Sequence, residues 1–563
     1  MKKTLIIALL VVVTNTLLAQ TSLIGNPNPE VYVETVLSQQ QLRQVALNFS
    51  VDKVVKNTDN TFNVRICVGK REYADFMALN IPFTYAPTPK PTVNMASNYN
   101  ELTSSWNRYP TYGAYLATMD TFQHRFPNLC KIDTVLAQTP DGHMILAAHI
   151  SNDLNNRGNK PAFWYSSTIH GDEPVGYYIM LHLIHYILNN YNTDEQVRNL
   201  VDNVDIWITP IENPDGTYHY SDNSLNNSPW STRYNGNGVD LNRYYPLAGY
   251  STEPVDDYEP EVIAMKAFAA DKQFTMSANF HGGAELFNYP WDTWETNERP
   301  NPDRYWWIHA GERFTDTCQS MHSSYMTEES GVIEGGDWYV ITGSRQDYFN
   351  YYQHCREVTI EISSDKVVSS NRLPNYWDYL KPSLLNYIGE CLNGFRGIVT
   401  DSITGEPLPA TVFVNNHDDN ISCVQTIMPV GNYHRPIASG SFSVTYSSPG
   451  YVSKTLSLDV NECESLVQDV QLVPVGYGVD NPLANAIQIY PNPSNGQIFI
   501  NGNQLAMEMI SIYDVCGKMV KSIPAEDTML SIDLSDCPAG IYFVRIYTKS
   551  GEVTKKLVVR NDQ

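Results

Sequence analysis

Basic residues are scarce: 37 Lys and Arg stand against 61 Asp and Glu, a formal charge of −24. That balance excludes a phosphate backbone as partner, so no nucleic acid is expected, and it suits either cationic substrates or plain solubility. Cysteine is present without pattern. The nine cysteines show no CxxC spacing, so they form no zinc-finger set, and a chain of 563 residues that is 42% hydrophobic has core enough without disulfides. In an exported chain some of the nine are expected to pair, with at least one left over. Beyond residue 20 no apolar run is long enough to span a membrane, so no transmembrane segment is expected.

The chain opens MKKTLIIALLVVVTNTLLAQ, two lysines before a short apolar run ending near Ala19, the order of a secretory signal peptide over 1–19. Residues 24–84 mix strand-like and helix-like stretches (VYVETV, QLRQVALNF, FNVRICV) and read as a small α+β unit, either a prosegment or a permanent domain. The Pro-rich TYAPTPKPTVNMAS then supplies a linker over 85–96. Over 97–393 apolar strands alternate with amphipathic helices, the pattern of an α/β domain built on a mostly parallel or mixed sheet flanked by helices. Short alternating runs split by Gly and Pro follow, and they predict two small β-sandwich domains at 394–474 and 484–563.

In open sheets of this kind, sites gather beyond the carboxyl ends of strands. His170 and Glu173 stand there in HGDEP, three residues apart, with Pro174 placed to enter the next helix. An imidazole and a carboxylate converging on one point suit zinc, and a catalytic zinc needs a third protein ligand and an open position. His281 is the candidate, at the end of the apolar run TMSANF and ahead of Gly282 and Gly283. Glu361 lies on a strand where Val358, Ile360 and Ile362 alternate with Glu357, Thr359 and Glu361. A carboxylate buried on such a face is either paired, with Arg356 or Arg243 as available partners, or held near a metal. His182 and His185 sit inside a helical pattern and read as packing or surface residues.

Taken together and in order, HGDEPVG, TRYNGNGVDLNR, SANFHGGAELFNYPWD, DWYVITGSRQDYFNY and CREVTIEIS resemble the zinc carboxypeptidases of the A/B and D/E/N type, with the D/E/N branch nearer, over roughly 97–475. The resemblance implies one Zn2+ per catalytic domain, with His170, Glu173 and His281 as its ligands and Glu361 as general base. Arg233, nine residues before Asn242, matches the arginine that polarises the scissile carbonyl. Asn242 and Arg243 match the clamp for a terminal carboxylate, and Tyr339 the tyrosine that caps the bound peptide. Asp292 and Gln346 match the side-chain pocket of the D/E/N branch, where a buried carboxylate selects Lys or Arg. Arg345 stands where that branch has an apolar Met, which places a cation beside the pocket, and DLNRYYP replaces the common DLNRNFP, a change expected to alter packing only.

The expected function is therefore a secreted zinc metallocarboxypeptidase acting on peptide or protein C-termini, those ending in Lys or Arg above all. The alternatives are a zinc amidohydrolase or deacylase on the same fold, and a non-catalytic surface binding or adhesion protein. Residues 394–474 resemble a transthyretin-like domain. The run from IYPNPSNGQIFIN to KKLVV resembles the sorting domain of the type IX secretion system, which implies contact with that machinery and a secreted or cell-surface location.

Overall fold

The computed structural model describes residues 30–87, 92–225, 231–250, 258–475, 486–549 and 551–560. The expected signal peptide and part of the linker lie outside the described residues. Two compact units divide between Leu472 and Val473. Among the described residues no helix is long and apolar enough to cross a membrane.

The first unit begins with a four-stranded antiparallel sheet, in the order Ser50–Lys56, Phe62–Gly69, Glu30–Leu37, Thr84–Tyr85. Helix Gln39–Ala46 starts at a reciprocal cap between Ser38 and Gln41 and buries Leu42, Val45 and Ala46 on this sheet. The apolar core beneath includes Val33, Leu37 and Ile66, and Ile341 of the following body joins it.

An eight-stranded mixed sheet organises that body. Its order is Val332–Glu334, Glu285–Tyr289, Arg356–Ile362, Met276–His281, Ala162–Ser167, Asp205–Thr209, Ile145–Ile150, Cys130–Leu136. The four central strands run parallel, and the pairs toward each edge are antiparallel where Ile145–Ile150 and Glu285–Tyr289 join. Both faces are covered, one by helices such as Val175–Asn190 and Leu373–Gly389, the other by Pro260–Lys272 and Arg345–Tyr352. With both faces covered, Ala162–Ser167 and Met276–His281 are buried at every position, the polar Ser277 and Asn279 included. The helix Val175–Asn190 lies close against the sheet: a Cβ on Gly176 would meet Ser167 Oγ at 2.1 Å and Phe280 Cβ at 2.9 Å. Only glycine permits that approach, and it sets the height of HGDEP above the strand ends.

Residues 394–474 form two sheets around one apolar core that includes Val399, Val412 and Val444. Buried ion pairs fasten them to the body: Asp303 binds Arg435 at 2.7 Å and Arg356 at 2.9 Å. The second unit likewise has two antiparallel sheets over one core, which includes Ile498, Ile512 and Val544. The expectation of some cysteine pairing fails, since all nine thiols are free. Six are buried, in cores belonging to different parts of the fold, and Cys463 and Cys516 are exposed.

Candidate active site

Three neighbouring parallel strands deliver the chemistry. Ala162–Ser167 ends in Thr168, whose φ of 60° turns the chain abruptly out of the sheet, and Thr168 Oγ1 donates to the Glu173 carbonyl at 3.0 Å. The loop so closed presents His170 and Glu173. His281 is the last residue of the next strand, in register with Glu361 on the one beyond. The geometry thus follows from strand order, since the carboxyl ends of adjacent parallel strands lie side by side.

His170 Nδ1 lies 3.0 Å from Glu173 Oε1, His281 Nδ1 lies 3.0 Å from Glu173 Oε2, and the two Nδ1 atoms are 3.1 Å apart. A tetrahedral zinc with bonds of about 2.0–2.1 Å spaces its ligands by roughly 3.3 Å, so this donor set fits that ion. The outward nitrogen of His170, Nε2, faces Asp240 Oδ1 at 3.2 Å. A carboxylate on the far nitrogen fixes the tautomer that leaves Nδ1 free to coordinate. Asp240 is itself held by Arg233 Nε at 2.8 Å. Burial lowers the His281 imidazole to about 4, which keeps it in the neutral, coordinating form. Burial opposes ionisation of Glu173, but electrostatic interaction with His170 and Lys366 and contacts to both imidazoles hold its carboxyl well below the usual range. Glu361 is shifted the other way, raised well above that range by burial and then by the negative charge of Glu173.

Nine of the ten residues singled out in the sequence line one cavity: His170, Glu173, Arg233, Asn242, Arg243, His281, Asp292, Tyr339 and Glu361. Gln346 is not at its wall. It stands behind Asp292, donating from Nε2 to Asp292 Oδ1 at 3.0 Å and accepting the Thr359 amide at 2.6 Å. Asn242 accepts the Arg345 amide through Oδ1 at 2.9 Å. Among the described residues neither salt bridge open to Glu361 forms: Arg356 binds Asp303, and Glu361 Oε2 has no hydrogen-bond partner. The expected cation beside the pocket is a further correction. Arg345 is wholly buried and turned away, bound to Glu357 at 2.5 Å and to Glu212 at 2.7 Å, with its guanidinium over the Trp164 ring. The carboxylates of Glu212 and Glu357 supply its counter-charge on the side away from the pocket.

Several residues at the site carried no signal in the motifs as read. Asp240 and Asp172 lay unassigned inside VDLNR and HGDEP. Lys366 binds Asp172 at 2.9 Å and Asp52 at 2.8 Å. Val51 and Asp52 of the N-terminal sheet help to wall the cavity, leaving a volume of about 40 Å³. That space holds water but no peptide end. Nearby contacts reinforce the closure: Tyr32 donates to Asp172 at 2.6 Å, Ser50 to Asp240 at 2.5 Å, and Glu30 accepts the Arg233 amide at 3.0 Å. Asp303, His417 and Asp418 make a second cluster of metal-ligating types, but Arg435 lies 2.7 Å from Asp303 and 2.5 Å from Asp418 and already supplies the cation.

Residues 115–383 match the zinc carboxypeptidase family, and residues 488–560 match the secretion system C-terminal sorting domain. Carboxypeptidase SOL1 of Arabidopsis thaliana is 32% identical over 362 residues, covering 63% of this chain and 70% of that protein. Carboxypeptidase M of Mus musculus is 29% identical over 63% of this chain and 80% of its own. Carboxypeptidase D of Homo sapiens is 30% identical over 60% of this chain, a stretch that spans 25% of that longer protein. Among solved structures, thrombin activatable fibrinolysis inhibitor superposes with a TM-score of 0.47 at 16% identity, over 64% of this chain and 98% of that one.

The chain belongs to the zinc carboxypeptidase family. It is a zinc-dependent metallocarboxypeptidase, and its sorting domain points to export by type IX secretion, to the medium or the cell surface.

Replacing Arg345 by Met leaves Glu212 and Glu357 buried without their counter-ion. Urea unfolding of Arg345→Met is expected to show a loss of about 3–5 kcal/mol relative to the wild type.

Proposed function

We propose that His170, Glu173 and His281 hold the zinc, that Glu361 is the general base, and that the enzyme removes single C-terminal residues, Lys and Arg by preference. The observation that carries this is the convergence of nine chemically matched side chains on one cavity. When bound, zinc supplies Lewis acidity and a water that deprotonates near neutral pH.

The chain's own residues then divide the work. Asn242 and Arg243 face the cavity together and would clamp a terminal carboxylate, an anion that an internal peptide bond lacks, which limits attack to the chain end. Arg233, braced by Asp240, directs its positive charge at the same space and would stabilise the oxyanion of the scissile carbonyl. Glu361, with Oε2 unengaged, is placed to take a proton from the attacking water and pass it to the leaving amine. Tyr339 caps the bound residue, and Asp292 at the cavity wall selects a cationic side chain. Gln346 acts through Asp292 rather than on substrate.

The N-terminal α+β unit is proposed as a prosegment that keeps this site shut, because Val51 and Asp52 occupy the approach and Ser50, Tyr32 and Glu30 tie the unit to the groups around the metal site. Residues 394–474 are read as a transthyretin-like β-sandwich that braces the body through Arg435 and carries no chemistry. The second unit is read as a β-sandwich sorting domain.

Glu361→Gln is expected to retain zinc by metal analysis while kcat/KM falls by about 10²–10⁴, and full activity in that variant contradicts the mechanism. Proteolytic nicking of the intact chain within 85–96, followed by assay on a Lys-ended peptide, is expected to raise activity at least tenfold on the order of what a shut site implies. Equal activity before and after nicking contradicts the prosegment assignment.

A further inference from the structure

Asp292 is held by the helix Arg345–Tyr352 in a way that the clamp chemistry does not require. Asp347, 1% exposed, uses both carboxylate oxygens on the preceding loop: Oδ1 accepts the Asp292 amide at 2.9 Å and Oδ2 the Thr293 amide at 2.8 Å. Asp292, 4% exposed, receives Gln346 Nε2 on Oδ1. The opposite side is closed by Gly335, where a Cβ would fall 2.0 Å from the same oxygen. The carboxylate therefore has one orientation, toward the cavity. Two buried carboxyl groups lie together here, and no ion pair is made to either among the described residues.

We infer that Asp347 is the positioning residue of the side-chain pocket: it fixes Asp292 toward the cavity, and its negative charge makes an entering Lys or Arg the missing counter-ion of a two-carboxylate pair. The inference rests on Asp292 forming the wall of the specificity pocket. Removing two charges from water without a cation is unfavourable, so a neutral C-terminal side chain leaves the pair uncompensated, whereas an ammonium or guanidinium compensates it.

Arg243 on the turn Leu241–Arg243, Glu361 on its strand, Tyr339, Asp52, Glu173, Arg233, His170 and His281 share the cavity with Asp292, and the charge of Arg299 acts on Asp347. Burial, then the charge of Asp347, raises the Asp292 carboxyl to about 8, against smaller opposing effects from Ser344 and Arg243. Burial raises the Asp347 carboxyl as well, so the two share their titration and the pair gains its second charge as pH rises. Binding of a cationic side chain below about pH 8 displaces the proton to solvent.

The test compares kcat/KM for peptides ending in Lys and in Leu from pH 6 to pH 9, using the full-length zinc enzyme, nicked in the linker if the intact chain is silent. In the wild type the Lys/Leu ratio should rise with pH, with a midpoint near 8. In Asp347→Asn the midpoint should move toward the ordinary carboxylate range, and the ratio at pH 9 should fall about tenfold for the loss of one nearby charge. Zinc content and thermal midpoint check folding. A wild-type preference for Lys that Asp347→Asn leaves unchanged in size and pH midpoint overturns the role of Asp347 alone. If the variant does not fold, a ratio in the wild type that is flat from pH 6 to pH 9 overturns it equally. A wild type with no basic preference at any pH overturns the pocket assignment and this inference with it.

Discussion

Concentrated negative charge at the carboxyl ends of three parallel strands governs this site. Asp52, Glu173 and Glu361 line a small closed space with Glu30, Asp172 and Asp240 in the network around it, and Arg65, Arg233 and Lys366 are the Arg and Lys side chains paired to these six among the described residues. Six carboxylates against three such cations leave a surplus, and buried surplus charge is costly unless a further cation arrives or a proton stays on. A zinc bound at the proposed His170, Glu173 and His281 site would supply a divalent charge to this network. The remaining strain is visible at Glu361, whose carboxyl is pushed well above its usual range by burial and by Glu173. Under the proposed role of Glu361 as general base, a nearby divalent ion would offset that field and favour its ionised form.

The same balance explains how the N-terminal sheet is fastened. It brings two carboxylates of its own, Glu30 and Asp52, to a region already short of cations, and each is accommodated by a donor of the body: Glu30 by the Thr232 hydroxyl and the Arg233 amide, Asp52 by Lys366. Docking is therefore polar at the rim, with an apolar patch where Ile341 and Tyr339 enter the core of the small sheet. The proposed capping tyrosine is thus packed against the unit proposed to shut the cavity, so under that proposal release of the unit would also free Tyr339.

Much of this was legible in the amino-acid pattern. His170, Glu173, His281 and Glu361 sit at strand ends or on a strand face, positions that alternation and punctuation reveal, and a parallel sheet leaves little choice about where such positions meet. Pairings across the fold were not legible. Glu361 looked like the salt-bridged member of its strand, but Glu357 is the one paired, to an arginine twelve residues earlier on a separate helix, because register and helix placement decide which carboxylate meets a guanidinium. Arg345 was placed beside the pocket for the same reason, adjacency to Gln346 in sequence, although neighbours on a helix point about 100° apart. The closure by Ser50 and Asp52 left no trace, since period-2 patterning shows which face of a strand is buried and not what buries it.

The central claim is that this zinc enzyme acts only at free chain ends. Peptides identical except for a free or amidated C-terminus, incubated with the linker-nicked protein and followed by mass spectrometry, test it most directly. Stepwise loss of single residues from the free acid, none from the amide, with activity abolished by a chelator and restored by zinc, is the expected result. Internal cleavage, or equal processing of the amidated peptide, would contradict it.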